Sequence, residues 1–483
     1  MPLTFLHLLF LSSCIFLNGG VRGQTSYAND FVNPDYVVAR DFGNNTRAAQ
    51  LTIVKWAKVL AQRGPWSVMD KAVLPPSGDK HDYMSWAPYW WPDCSAVGNT
   101  TELPQEEVWK QCEYKARDGQ FNPDGRLVND VGNFQLLSDA VLYNAITWSF
   151  NNQPTSNFYS KLLVPKFIKA WFLDTETRMN PNLNYGQMQR GPTGQLGSHT
   201  GILDLKGLTK ITSAILMLRN GKSEDWDAAT DAQMIAWAKE YITWLETAEI
   251  AVEEGIADNN HGTFYYNQLA ALKILVSDFT GAKAVTDTYF NKQYLYQIEA
   301  NGEQVSLRPL EAARTRPYHY RAYNLAAMIT NARLAEYADP SSPMWNKTTT
   351  AGATIKTALD FALSVSPAAS QEASYAAELY PSIAAVAATY GDADGKYLTF
   401  LKNAQPAFAE DPYFFWNQPW AVDLDISGLV GSTSAIDDDK ITNAGTSTAG
   451  TAGAVSANSA VASKSGLTLG MIAVSALCFI ALA

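Results

Sequence analysis

Nine segments with apolar residues at helical spacing, and almost no strand-like alternation between them, restrict this chain to an all-α fold. They are residues 48–60, 133–150, 158–173, 205–218, 228–248, 264–279, 318–337, 354–365 and 373–390. The connections are of two kinds, short turns and long excursions rich in Gly, Pro and Asn. Serial helical hairpins with long loops fit a ring or superhelix of helix pairs better than a four-helix bundle. The expected architecture is therefore an incomplete (α/α)n toroid of helical hairpins. No fixed-period repeat is visible, which argues against a tetratricopeptide-type array.

The two ends read differently from this helical body. Residues 1–23 have an apolar core at 8–17 followed by Val21-Arg22-Gly23, the layout of a signal peptide. Residues 427–466 are rich in Ser, Thr, Ala and Gly and cannot bury a core, so they are expected to form a stalk. Residues 467–483 are apolar with no basic flank, and follow the small triplet Ser456-Ala457-Asn458 and a polar spacer at 459–466. That is the pattern of a glycolipid-anchor signal. The expectation is a secreted, surface-anchored monomer with its folded domain at 24–426. Of four cysteines, Cys14 lies in the leader and Cys478 in the tail, which leaves Cys94 and Cys112 to pair in an oxidising compartment. Asn44, Asn99 and Asn346 head Asn-x-Ser/Thr sequons and mark surface segments.

A net charge of −11 argues against a nucleic-acid partner, since no basic stripe is present. It also means that an anionic polymer would have to be met by a local group of arginines. The stretch Asp258-Asn259-Asn260-His261-Gly262 precedes one of the apolar segments. Asn259 or Asn260 suits the N-cap of a helix over about 263–276. Unpaired amides and the positive dipole end of that helix would favour an anionic group beside the imidazole and carboxamides. The plainer reading is a capped helix in which His261 is a hydrogen-bonded structural residue.

Four loops carry further candidates. His81-Asp82-Tyr83-Met84-Ser85-Trp86-Ala87-Pro88-Tyr89-Trp90-Trp91-Pro92-Asp93 is proline-interrupted and aromatic, fitting a platform for sugar rings or, equally, a buried loop anchor. Residues 118–125 carry turn chemistry. Residues 180–199 are polar and glycine-rich enough to line a cleft or form a lid. Residues 308–320 hold Arg314, Arg316, Tyr318 and Tyr320, with Pro317 suited to a first helical position.

Together, HDYMSWAPYWWPD, DGQFNP, NPNLNYGQ, ADNNHGTFYYNQ and RPLEAARTRPYHYRAYNL resemble the alginate-lyase-type polysaccharide lyases, in this order from His81 to Leu325. The resemblance implies a toroid of helix pairs and a catalytic group at Asn260, His261, Arg314 and Tyr320. Arg316 competes with Arg314 for the arginine role. Substrate contacts are expected from His81, Tyr83, Trp86, Tyr89, Trp90, Gln187, Arg190, His199 and Arg316. The implied reaction is β-elimination on a 1,4-linked uronate polymer such as alginate or glucuronan, with Asn and Arg neutralising the carboxylate, Tyr as acid and base, and His as base. No cofactor or metal is expected, because few histidines are available and no clustered carboxylate ligand pattern is visible. Two other readings remain open at this level. One is a glycoside hydrolase using carboxylates among Asp258, Glu253, Glu254 and Glu311. The other is a surface carbohydrate-binding protein without catalysis.

Overall fold

The structure is a computed structural model that describes residues 30–98, 103–150, 163–193, 195–305 and 315–418. Helices dominate it. In chain order they are α1 (Pro34–Ala39), α2 (Arg47–Ala61), α3 (Gln105–Gln111), α4 (Asp130–Ser149), α5 (Leu208–Asn220), α6 (Ala228–Thr247) and α7 (Glu249–Gly255). They continue with α8 (Asn260–Leu275), α9 (Phe279–Asn291), α10 (Pro317–Ala338), α11 (Ile355–Ser364), α12 (Tyr380–Tyr390), α13 (Lys396–Ala404) and α14 (Pro412–Trp416).

The packing follows a chain of neighbours: α2 on α4, α4 on α5, α5 on α8, α8 on α10, α10 on α12, α12 on α14, and α14 back on α2. Polar contacts also tie α14 and α10 to the segment that precedes α2. The Tyr36 hydroxyl donates to the Phe415 carbonyl at 2.9 Å, and Asp30 accepts from both Trp416 Nε1 and Arg333 Nη1 at 2.9 Å. Helices α8 and α10 are buried almost all round: in α8 only His261 and Lys273 are not buried. A helix buried on every face must also bury its polar residues, and α8 and α10 carry Asn260, Thr263, Asn267, Gln268, His319, Arg321, Asn324 and Asn331 inside. Some of these are spent on structure. Gln268 Nε2 donates to the Ile202 carbonyl at 2.7 Å, and Arg321 forks onto Glu303 with both bonds at 2.7 Å.

Several expected helix limits shift, each for a local reason. The segment 264–279 is two helices, because Ser277 adopts a left-handed φ of 63° and Asp278 caps α9 by accepting from Gly281 N at 2.8 Å. The segment 205–218 begins as a 3₁₀ turn, His199–Leu205, before α5. The segment 373–390 divides likewise into the 3₁₀ turn Ala373–Leu379 and α12, whose first turn holds Pro381 and so lacks an amide to continue the earlier pattern. Of segment 158–173, the described part ends in a π turn at Lys169–Leu173 with Trp171 and Phe172 buried.

The long loops contain the strands. β1 (Met84–Trp86) pairs in parallel with β4 (Tyr185–Met188), and β2 (Trp90–Asp93) pairs antiparallel with β3 (Glu113–Ala116). The aromatic loop is thus clamped on both sides. Cys94 and Cys112 are disulfide-bonded, with Cα atoms 4.6 Å apart, and close the β2–β3 pair just beyond the Asp93–Glu113 register.

Candidate functional site

The feature on which the site is built is a buried carboxylate between two imidazoles. Glu254, near the end of α7, has a fully buried side chain. Its Oε2 lies 2.6 Å from His199 Nδ1 and its Oε1 lies 2.7 Å from His261 Nδ1. Both histidine side chains stay partly exposed, 35% for His199 and 20% for His261, so the ring edges opposite Glu254 face outward. Burial alone would raise the Glu254 carboxyl, but the two imidazoles hold it below the usual carboxylate range. The hydrogen bond to Glu254 in turn raises His199 above an ordinary histidine, against its partial burial.

Three separate segments meet here, and two close backbone approaches let them do so. A Cβ on Gly262 would stand 1.9 Å from the Ala257 carbonyl oxygen, so only glycine allows α8 to start this close to the end of α7. A Cβ on Gly201 would stand 2.4 Å from the Gly186 carbonyl, so the His199 turn lies directly on β4. Asn259 is the N-cap of α8, its Oδ1 accepting from His261 N at 3.0 Å.

Asn260 follows the cap and is 1% exposed. Neither its Nδ2 nor its Oδ1 has a hydrogen-bond partner among the described residues. A buried carboxamide left in this state costs about 1–3 kcal/mol per unmet group, and so calls for a ligand or water. Asn267, two turns deeper in α8, is in the same condition. Asn260 differs in standing at the helix mouth beside His261.

The second half of the site is the mouth of α10. Pro317 occupies the first turn as its fixed φ favours. Glu372 closes the helix end, accepting from Tyr318 N at 2.9 Å and from His319 N at 3.0 Å. His319 is buried, with Nδ1 2.6 Å from Glu378 Oε2. The Tyr320 side chain is buried, and its hydroxyl is hydrogen-bonded with that of Tyr89 from the aromatic loop. Burial raises Tyr89, and the nearby Arg316 guanidinium acts in the opposite direction. Arg316 donates to the Gly119 carbonyl at 2.9 Å and lies 5.6 Å from the centre of the Tyr375 ring. Phe264, one turn inside α8, and Tyr323, nearly two turns inside α10, meet at 4.5 Å and join the two mouths.

The structure therefore groups Asn260, His261 and His199, and separately Tyr320, Tyr89 and Arg316. Arg314 lies outside the described residues. Other expected substrate contacts are placed differently. Tyr83 is completely buried and donates to Asp204 Oδ2 at 3.1 Å, while Gln187 Nε2 donates to Asp204 Oδ1 at 3.0 Å. Both serve a buried carboxylate that ties β1 and β4 to the His199 turn. Trp86 is also interior, packed at 4.7 Å on Trp109, and Arg190 stacks on it at 4.2 Å while pairing with Asp124 at 2.9 Å. Trp90 is half-buried in β2, and His81 Nδ1 lies 2.6 Å from the Arg178 carbonyl. Asn44 and Asn346 are exposed, and Asn99 lies outside the described residues.

Sequence spacing did not single out Glu254 as the partner of both histidines, nor Asp204, Glu372 and Tyr375. The one available signal was Glu254 seven residues before His261, spaced across a helix break. Ligand atoms of His199, Glu254 and His261 lie within 4.8 Å of one another, close enough to consider a metal ion, a grouping not foreseen from the sequence. The contacts at 2.6 and 2.7 Å are hydrogen-bond separations. Two ligands of one tetrahedral zinc, each at about 2.0–2.1 Å, would stand about 3.3 Å apart. At these separations the two Nδ1 atoms are hydrogen-bonded to Glu254, and each ring keeps its Nε2 turned away from that carboxylate.

A family model described as alginate lyase matches residues 67–372. Among solved structures, an alginate lyase from Bacteroides ovatus is similar at a TM-score of 0.68 and 26% identity, covering 81% of this chain and 100% of its own. Alginate lyase A1-III, as a histidine variant complexed with tetrasaccharide, aligns at a TM-score of 0.40 and 14% identity over 73% of this chain and 90% of its own. A comparison with curated proteins found no match.

Proposed function

This chain belongs to the alginate lyase family and is a polysaccharide lyase, and from that premise we propose that it cleaves a 1,4-linked uronate polymer by β-elimination at the two helix mouths. The observation that carries the reading is the buried Asn260 carboxamide beside His261, without a partner among the described residues. In the elimination a base removes the proton on the carbon bearing the carboxylate. A carbon–carbon double bond then forms as the 4-O-glycosyl bond breaks, and the departing oxygen is protonated. The carbon acid is very weak while its carboxylate is charged, so that charge must be neutralised as the enolate develops. Asn260 supplies a fixed dipole there, and an arginine from the 308–320 loop supplies charge. Arg314 is the first candidate, with Arg316 committed in part to Gly119.

Tyr320 takes and returns the proton when the proton and the leaving oxygen lie on one face of the sugar. His261 is the base when they lie on opposite faces. The helix neighbours running from α2 round to α14 support an (α/α) toroid. We also propose, from the leader, stalk and tail expected in the sequence, that the 24–426 domain acts outside the cell on a lipid anchor.

A hydrolase mechanism has weaker support, because Glu254, the best-placed buried carboxylate, already accepts from two imidazoles. Digesting alginate blocks, glucuronan and pectate tests the proposal directly. An ultraviolet-absorbing unsaturated end is expected, whereas new reducing ends without that absorbance would mean hydrolysis. Arg314→Ala should lose both binding and turnover, with Arg316→Ala as the milder control. The reverse order would exchange the two arginines.

A further inference from the structure

We propose that Glu254 is a positioning residue that locks both imidazoles in one tautomer, so that His199 as well as His261 presents a proton-accepting Nε2 to the cleft. This rests on the elimination reading above and adds a second acceptor to it.

The argument is one of hydrogen-bond inventory. An ionised carboxylate only accepts, so each imidazole nitrogen facing Glu254 must bring the proton. Those nitrogens are the two Nδ1 atoms, at 2.6 and 2.7 Å. In a neutral ring the proton on Nδ1 leaves Nε2 with a lone pair. Glu254 is fully buried and both rings are partly exposed, so the Nε2 edges are the ones turned outward. Neither Nε2 has a hydrogen-bond partner among the described residues. Among the described residues, the charged side chain that approaches them is Glu253, whose Oε1 is 3.7 Å from His199 Nε2 and which is 57% exposed.

The chemistry that follows differs from that of a lone histidine. When either Nε2 takes the substrate proton, the imidazolium formed is already bonded to a carboxylate through Nδ1. That bond stabilises it and keeps its ring from turning away, as in other carboxylate–histidine pairs. One carboxylate serves two rings, so the first proton gained disfavours a second. The trio therefore takes one proton per turnover and releases it to water, while Tyr320 on the other face protonates the leaving oxygen.

The isosteric Glu254→Gln variant separates this role from simple packing. A glutamine side chain offers one acceptor and one donor toward the two Nδ1 atoms, so it can keep only one ring in the Nδ1-protonated form. The other must carry its proton on Nε2 and cease to accept. Nitrogen-15 NMR on histidine-labelled enzyme, at a pH where the imidazoles are neutral, reads this without reference to activity. We expect both rings Nδ1-protonated in the native enzyme, and one converted in Glu254→Gln together with at least a tenfold lower kcat. An Nε2-protonated tautomer on either native ring would overturn the proposal, even if Glu254→Gln failed to fold. So would a folded Glu254→Gln with unchanged tautomers and kcat, or activity lost to a chelator and restored by zinc. If instead His261→Ala leaves elimination intact, the base assignment fails while the tautomer result still decides the role of Glu254.

Discussion

The mouths of α8 and α10 are built on the same plan and finished in opposite ways. Both are first turns of deeply buried helices, joined by the Phe264–Tyr323 contact. At α10 the protein closes its own helix end, with Glu372 accepting from two backbone amides at 2.9 and 3.0 Å. At α8 the cap is Asn259, and the next side chain, Asn260, is buried with no partner on either polar atom among the described residues. A negative charge already sits on the dipole end of α10, so a second anion gains little there. The α8 mouth has kept its polar capacity unspent. We propose on this contrast that the α8 mouth, where the Glu254 charge is already met by two imidazoles, takes the substrate carboxylate and that the α10 mouth serves proton transfer on tyrosine.

That contrast can be broken by experiment. The largest expected effect is at α10: Tyr320→Phe should keep the fold and most affinity yet lose about 10²–10⁴-fold in turnover, followed by the absorbance of the unsaturated product. Near-normal elimination in that variant would remove tyrosine from the mechanism. Next, Asn260→Ala should lower kcat/KM by about 10²-fold through lost charge stabilisation in the transition state. The same variant should unfold at an unchanged or slightly higher temperature, because among the described residues its side chain gives up no hydrogen bond. A clear fall in melting temperature would mean that Asn260 is structural after all.

The converse holds for Glu372→Ala. It should cost about 1–3 kcal/mol of stability by uncovering two amides, measured by denaturant unfolding, with less effect on turnover than Tyr320→Phe. The smallest effect is in pH. His199 is raised above the ordinary 6.5, so its contribution to stability is complete below that value and is lost as pH rises through the folded value. Glu254 is lowered from 4.5, so its contribution is present above that value and is lost as pH falls through the folded value. Melting temperature against pH should therefore decline on both sides in the native enzyme, and the slopes should flatten in Glu254→Gln. Identical curves for the two proteins would show that the trio is not a thermodynamic unit.

The sequence alone determined the helical class, the N-cap before His261, Pro317 at the start of α10 and the Cys94–Cys112 pair. Each of these depends on local chemistry or on scarcity: helical spacing of apolar residues, an Asx cap, a fixed φ, or two cysteines with no other partner in the domain. The motif order also pointed to the family, since five loop segments in one order are hard to match by chance. What only the tertiary structure decided is which polar residues are spent and which are kept. Tyr83 and Gln187 look like cleft residues in a polar, aromatic loop, but Asp204 draws both inward. Glu254 reads in the sequence as one of several acidic side chains, and becomes central only when Gly262 and Gly201 let three segments close on it. A carboxylate's partners are set by distances between segments remote in the chain, and apolar periodicity carries no information about them.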